Sequence, residues 1–184
     1  MEFDERVEIL APCCRDVMRI EAGIADVLSR PGDVPKIISD VVSMRALISK
    51  ERPPRHPFDL KLVPGGLVDL EFIAQSAQLL VPERVERPQA PVSVVLARLG
   101  EIGLLPESER LVEIHRLYSD ILQIMSAALL QPLKEEGWAG AFRELLTGLV
   151  NYPDFERLTS DLADMQQTVT AAGRDWYARA ATLA

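Results

Sequence analysis

The chain is poor in the residues that staple, ligate or stack. Its 184 residues include two cysteines and two histidines, and aromatics make up 5%. Cys13 and Cys14 are neighbours, and adjacent cysteines rarely bridge each other, so a disulfide framework is excluded and the expected compartment is a reducing cytoplasm. His56 and His115 lie far from those thiols in sequence, so no His/Cys spacing suited to zinc exists and no metal site is assigned. With few aromatics the core must be built from Leu, Ile, Val and Ala, which favours helices over a sandwich or barrel. Basic charge is also scarce: 20 Lys and Arg face 28 Asp and Glu, a formal net charge of -8. Neutralising phosphates needs clustered cations, so a general nucleic-acid binder is excluded. No apolar run is long enough to span a bilayer, and Met1 to Arg6 is acidic and polar, so neither a membrane segment nor an export signal is read.

What is present is helical periodicity. Val17, Ile20, Ile24, Val27 and Leu28 form one apolar stripe within 11–30, which Pro31-Gly32 ends. Asp33 then caps a second helix with Pro35 in its first turn, and apolar residues from Ile37 to Ile48 carry it to about Lys50. Residues 51–66 hold four prolines and two glycines and read as an extended connection, strand-like over Phe58 to Val63. A third helix begins near Leu67 and stops before Pro82. A short helix over Val92–Ile102 is closed by Gly103, and a long one opens at Pro106 and runs towards Pro132. Two more are expected, about Ala139–Val150 and from Asp154 towards the C-terminus, the last with Phe155, Leu158, Leu162, Met165, Val169, Ala172 and Trp176 inward. The fold class is all-α, a bundle of about six or seven helices, read as one helical domain over 1–184.

The chemistry-bearing stretch is Asp59 to Gln75. Gly65-Gly66 immediately before a helix allows close backbone approach, and the first-turn N–H groups with Lys61 nearby would make half of a phosphate site; alternatively the glycines permit a turn and Lys61 is solvated. Asp69 and Glu71 are two apart and fall on nearly opposite sides of a helix, so they are not read as a shared metal site or an acid/base pair. Glu71, Gln75 and Gln78 share one face as a polar stripe. His115 is read as a packing or surface histidine, His56 as part of a small basic connection, and Trp138 and Trp176 as anchors between helices.

The run Asp59-Leu60-Lys61, followed by Pro64-Gly65-Gly66-Leu67-Val68-Asp69-Leu70-Glu71-Phe72-Ile73-Ala74-Gln75, resembles the signature of the glutamine synthetase adenylyltransferase family. Asp40-Val41-Val42-Ser43-Met44-Arg45 is similar to the segment that precedes that signature, and Leu96 to Leu105 to the short helix and glycine turn that follow it. The resemblance places the signature within residues 11–81 and the remainder of the bundle in 92–184. It implies a helical domain related to that of PII uridylyltransferases, in an enzyme that transfers AMP from ATP to a tyrosine of glutamine synthetase, with magnesium held by carboxylates of a separate nucleotidyltransferase domain. Asp69 is more like the C-terminal, adenylylating half. Lys61, Gly65, Gly66, Asp69 and Glu71 match the motif and are expected to face the nucleotide cleft.

The family's Gly-Ser motif and its nearby pair of aspartates are not found upstream of Ala11, so the nucleotidyltransferase domain is expected to be absent. Nucleotidyl transfer relies on metal-bridging carboxylates, and no residue of this chain is assigned as catalytic. The expectation is a supporting domain for nucleotide closure and docking, with glutamine synthetase, the PII signal protein and the nucleotidyltransferase domain as partners, and ATP and magnesium belonging to the parent enzyme. The alternative is a stand-alone regulatory module that binds protein without nucleotide chemistry.

Overall fold

A computed structural model describes residues 18–20, 22–23, 26, 32–85, 90–128, 138 and 140–182. Cys13, Cys14 and most of the first expected helix lie outside the described residues, as does the expected end of the long helix near Pro132. The fold is an all-α bundle, with no strand among the described residues. Six helices have defined bounds: α1 Val34–Glu51, α2 Leu67–Leu80, α3 Val92–Glu101, α4 Ser108–Ala128, α5 Gly140–Leu149 and α6 Phe155–Ala180. Positions 18–20, 22–23 and 26 are also helical.

The helix ends follow from local chemistry. Asp33 accepts from the Lys36 N–H at 3.0 Å to cap α1, and Asp154 accepts from the Arg157 N–H at 2.7 Å to cap α6. Each satisfies a donor that the first turn leaves without a helical partner. Residues 58–63 are a series of turns and not the expected strand: Leu62 and Val63 both donate to the Asp59 carbonyl. With three buried side chains to place, Phe58, Leu60 and Val63, the loop coils against the core and meets its backbone hydrogen bonds locally.

α2 is the central helix and packs against α1, α3, α4 and α6. Leu67, Val68, Leu70, Ile73, Ala74 and Ala77 are all buried, so apolar residues surround much of its circumference. α6 supplies the long opposing face, and Leu158, Leu162, Met165, Val169, Ala172 and Trp176 are buried as their spacing predicts. Trp176 is fully buried and donates its indole N–H to Ser76 Oγ at 2.9 Å, tying α6 to α2 through the core. At the other end Phe58, Trp138, Phe142 and Phe155 form an aromatic cluster joined by His56.

α1 departs from its sequence pattern. None of its residues is fully buried, and Val42, Met44 and Leu47 each stand about half exposed, although their spacing continues the apolar series. Ile38 is the α1 side chain that packs on the core. Among the described helices α2 makes the main contact with α1, and the wider apolar stripe there stays partly exposed.

Candidate functional site

The signature folds into a tight structure at the start of α2. Gly66 donates to the Val63 carbonyl at 2.9 Å, Leu67 to Leu60 at 2.8 Å and Val68 to Lys61 at 3.2 Å. The Gly65 N–H donates to Asp69 Oδ2 at 2.7 Å. The N–H groups from Gly65 to Val68, where an anion at a helix start would bind, are therefore engaged inside the chain.

Both glycines are required by contact. Gly65 has φ +76, and a Cβ there would lie 1.9 Å from the Gln166 carbonyl oxygen of α6. A Cβ on Gly66 would lie 2.4 Å from the Leu60 carbonyl oxygen. Gly65 lets the turn seat directly on the α6 backbone, and Gly66 lets it close over its own Leu60 and Val63 carbonyls.

Asp69 is held by Arg45 of α1. The guanidinium donates from Nε to Oδ1 at 2.5 Å and from Nη2 to Oδ2 at 3.0 Å, a two-pronged pair with both side chains largely buried. Arg45 Nη2 also reaches the carbonyls of Leu62 and Val63 at 3.3 and 3.1 Å, and Nη1 reaches Ser49 Oγ at 2.6 Å. One arginine thus joins α1, the turn and α2. Arg45 falls in the segment quoted for the resemblance, but sequence reasoning did not pair it with Asp69; 24 residues separate them and no periodic signal links them.

The remaining sequence-derived positions point elsewhere. Lys61 and Gln75 are exposed, while Glu71 and Gln78 are half-buried. Glu71 acts on His115 of α4: burial lowers the imidazole pKa from its usual 6.5, and the Glu71 carboxylate partly opposes that shift. Asp69 and Glu71 therefore address different helices, as their two-residue spacing requires. Tyr177 of α6, unremarked in the sequence, lies near the Arg45–Asp69 pair. Its phenol is pushed up to about 12, first by burial and then by Asp69, with a Ser76 hydrogen bond and Arg45 opposing. His56 accepts the Phe58 N–H on Nδ1 at 3.0 Å and packs against the Phe58 and Trp138 rings, which gives it a folding role in the connection. Among the described residues no group of three or more His, Cys, Asp or Glu is placed to hold a metal ion. No described helix is long and apolar enough to cross a membrane.

Comparison with known proteins decides the lineage. A bifunctional glutamine synthetase adenylyltransferase/adenylyl-removing enzyme of Brucella suis is 40% identical over 158 residues, 85% of this chain and 16% of the relative. The enzymes of the same name from Caulobacter vibrioides and Mesorhizobium japonicum are 36% and 33% identical, over 84% and 82% of this chain and 16% and 15% of theirs. The chain is homologous to a part of these enzymes. It spans about 16% of the length of the curated relatives it matches. No family model matches the chain, and no solved structure matches it.

Proposed function

We propose that this chain serves as a helical supporting domain of a glutamine synthetase adenylyltransferase, taking part in closure over the nucleotide and in docking, and not catalysing transfer by itself. The observation that carries this reading is the 40% identity over 85% of the chain to an enzyme of that name. The parent reaction would transfer AMP from ATP, with magnesium, to a tyrosine of glutamine synthetase in the cytoplasm. The chemistry of that step needs metal-bridging carboxylates, which a nucleotidyltransferase domain would supply.

In this reading Lys61, Gly65, Gly66, Asp69 and Glu71 face the nucleotide cleft in two different ways. Gly65, Gly66 and Asp69 would act by fixing the turn, since their groups are engaged with α6, Leu60 and Arg45. Lys61 is exposed and would be the charge offered to the neighbouring domain or its nucleotide, while Glu71, half-buried and coupled to His115 of α4, would act with Gln75 and Gln78 as the polar stripe. Glutamine synthetase and the PII signal protein are the partners for which docking is proposed.

The test is mass spectrometry of glutamine synthetase incubated with ATP, magnesium and a separately produced nucleotidyltransferase domain, with and without this chain. More AMP on the tyrosine when the chain is added supports the reading, and Lys61→Ala should lower that gain without lowering the unfolding midpoint. No gain from the chain defeats it.

A second reading, a regulatory module without nucleotide chemistry, is favoured by the closed N–H groups at the start of α2. Retention of glutamine synthetase or PII on the immobilised chain, with no effect on adenylylation, would select it.

A further inference from the structure

Beside the Arg45–Asp69 pair is a cleft of about 220 Å³, formed where α1, the Pro64-Gly65 turn and α6 meet. Its donors and acceptors are unequal. Arg45 is committed to Asp69, to two carbonyls and to Ser49. The Ser49 hydroxyl donates to the Arg45 carbonyl at 3.1 Å and that of Thr170 to the Gln166 carbonyl at 2.8 Å, so neither has a proton left for a ligand. Arg174, by contrast, is exposed on the rim of the cleft and has no ion-pair partner among the described residues. Tyr177 also lines the cleft, with its phenol hydrogen-bonded to Ser76.

Arg45 and Arg174 against Asp69 leave one positive charge here in a chain whose formal charge is -8. A guanidinium fork is shaped for a carboxylate or phosphoryl group, and the walls of Val169, Gly173 and Pro64 limit the rest of the ligand to a small body.

We propose that this cleft binds a small oxyanion, the carboxylate or phosphoryl head of a metabolite, with Arg174 as the principal ligand. This inference stands apart from the adenylyltransferase reading, because it concerns binding by the chain alone.

The test is a nuclear magnetic resonance titration of the whole chain with sodium phosphate and, separately, sodium acetate, against sodium chloride at equal ionic strength. Saturable shifts of the Arg174 side-chain N–H and of the Gly65 and Gly173 amides are expected. Phosphate alone, acetate alone or both identifies the head group. Arg174→Met should weaken binding about tenfold or more, as loss of a charge-assisted fork does. Arg174→Lys should weaken it less, and Arg179→Met, on the same helix but outside the cleft, should leave it unchanged. Equal shifts with chloride, shifts that do not saturate, or undiminished binding by Arg174→Met overturn the proposal.

Discussion

Arg45 and Asp69, 24 residues apart in sequence, meet as a two-pronged ion pair whose side chains keep only 16% and 20% of their surface exposed. Removing one partner leaves the other charge in a poorly solvated place. Asp69→Ala is expected to cost about 2–4 kcal/mol, measured by urea unfolding. Arg45→Lys should recover little of the pair, since an ammonium cannot span both carboxylate oxygens and two carbonyls. The double variant Arg45→Met, Asp69→Ala should lose less than the sum of its single changes. A cost near zero for Asp69→Ala would mean that the pair does not hold the turn.

Gly65 and Gly103 both have positive φ, +76 and +73, but only Gly65 is crowded. An added methyl at Gly65 meets the Gln166 backbone at 1.9 Å, whereas at Gly103 nothing lies within 4 Å. Gly103→Ala should therefore cost about 1 kcal/mol of backbone strain. Gly65→Ala should cost about 3 kcal/mol or more, because the turn must lift from α6. Similar unfolding midpoints for the two variants would contradict the close seating.

Ser76 Oγ is buried, donates to the Ile73 carbonyl at 3.0 Å and accepts the Trp176 N–H. Ser76→Ala strands that indole donor in the core and should cost about 1–3 kcal/mol. Near-ultraviolet circular dichroism should report the change in the tryptophan environment before global unfolding.

The Tyr118 hydroxyl is buried without a hydrogen-bond partner among the described residues. Tyr118→Phe removes a polar group that gains nothing from folding, so stability should stay level or rise by up to about 1 kcal/mol. A loss of more than that, in thermal unfolding, would reveal a partner for the hydroxyl.

His115 has a folded-state pKa below 6.5, with burial the larger cause. As pH falls through 6.5 the unfolded chain takes up a proton that the folded chain still refuses, so this residue lowers stability towards acid. Once pH lies below both pKa values its contribution is constant. The stability difference between about pH 7.5 and about pH 5.5 should be smaller in His115→Gln than in the parent. An unchanged difference would place the acid sensitivity in other groups.

Much of the bundle was legible from residue order. α6 was visible because Leu158, Leu162, Met165, Val169 and Ala172 recur at helical spacing, and α1 because Asp33 and Pro35 mark its start. The strand expected at Phe58–Val63 did not form, since alternation cannot distinguish a strand from a turn that buries Leu60 and Val63. The apolar series of α1 shows that Val42, Met44 and Leu47 lie on a helix, but not that each stays about half exposed among the described residues. The signature marked Gly65, Gly66 and Asp69 as positions of interest without revealing what they touch.

By itself the sequence determined the helical class, most helix boundaries and the lineage, because periodicity, caps and motif identity are properties of residue order. Tertiary structure alone decided that Asp69 belongs to Arg45, that Gly65 rests on Gln166, and that Arg174 is left without an ion-pair partner beside a cleft. Those relations join distant segments through distance and direction, which local propensity does not encode.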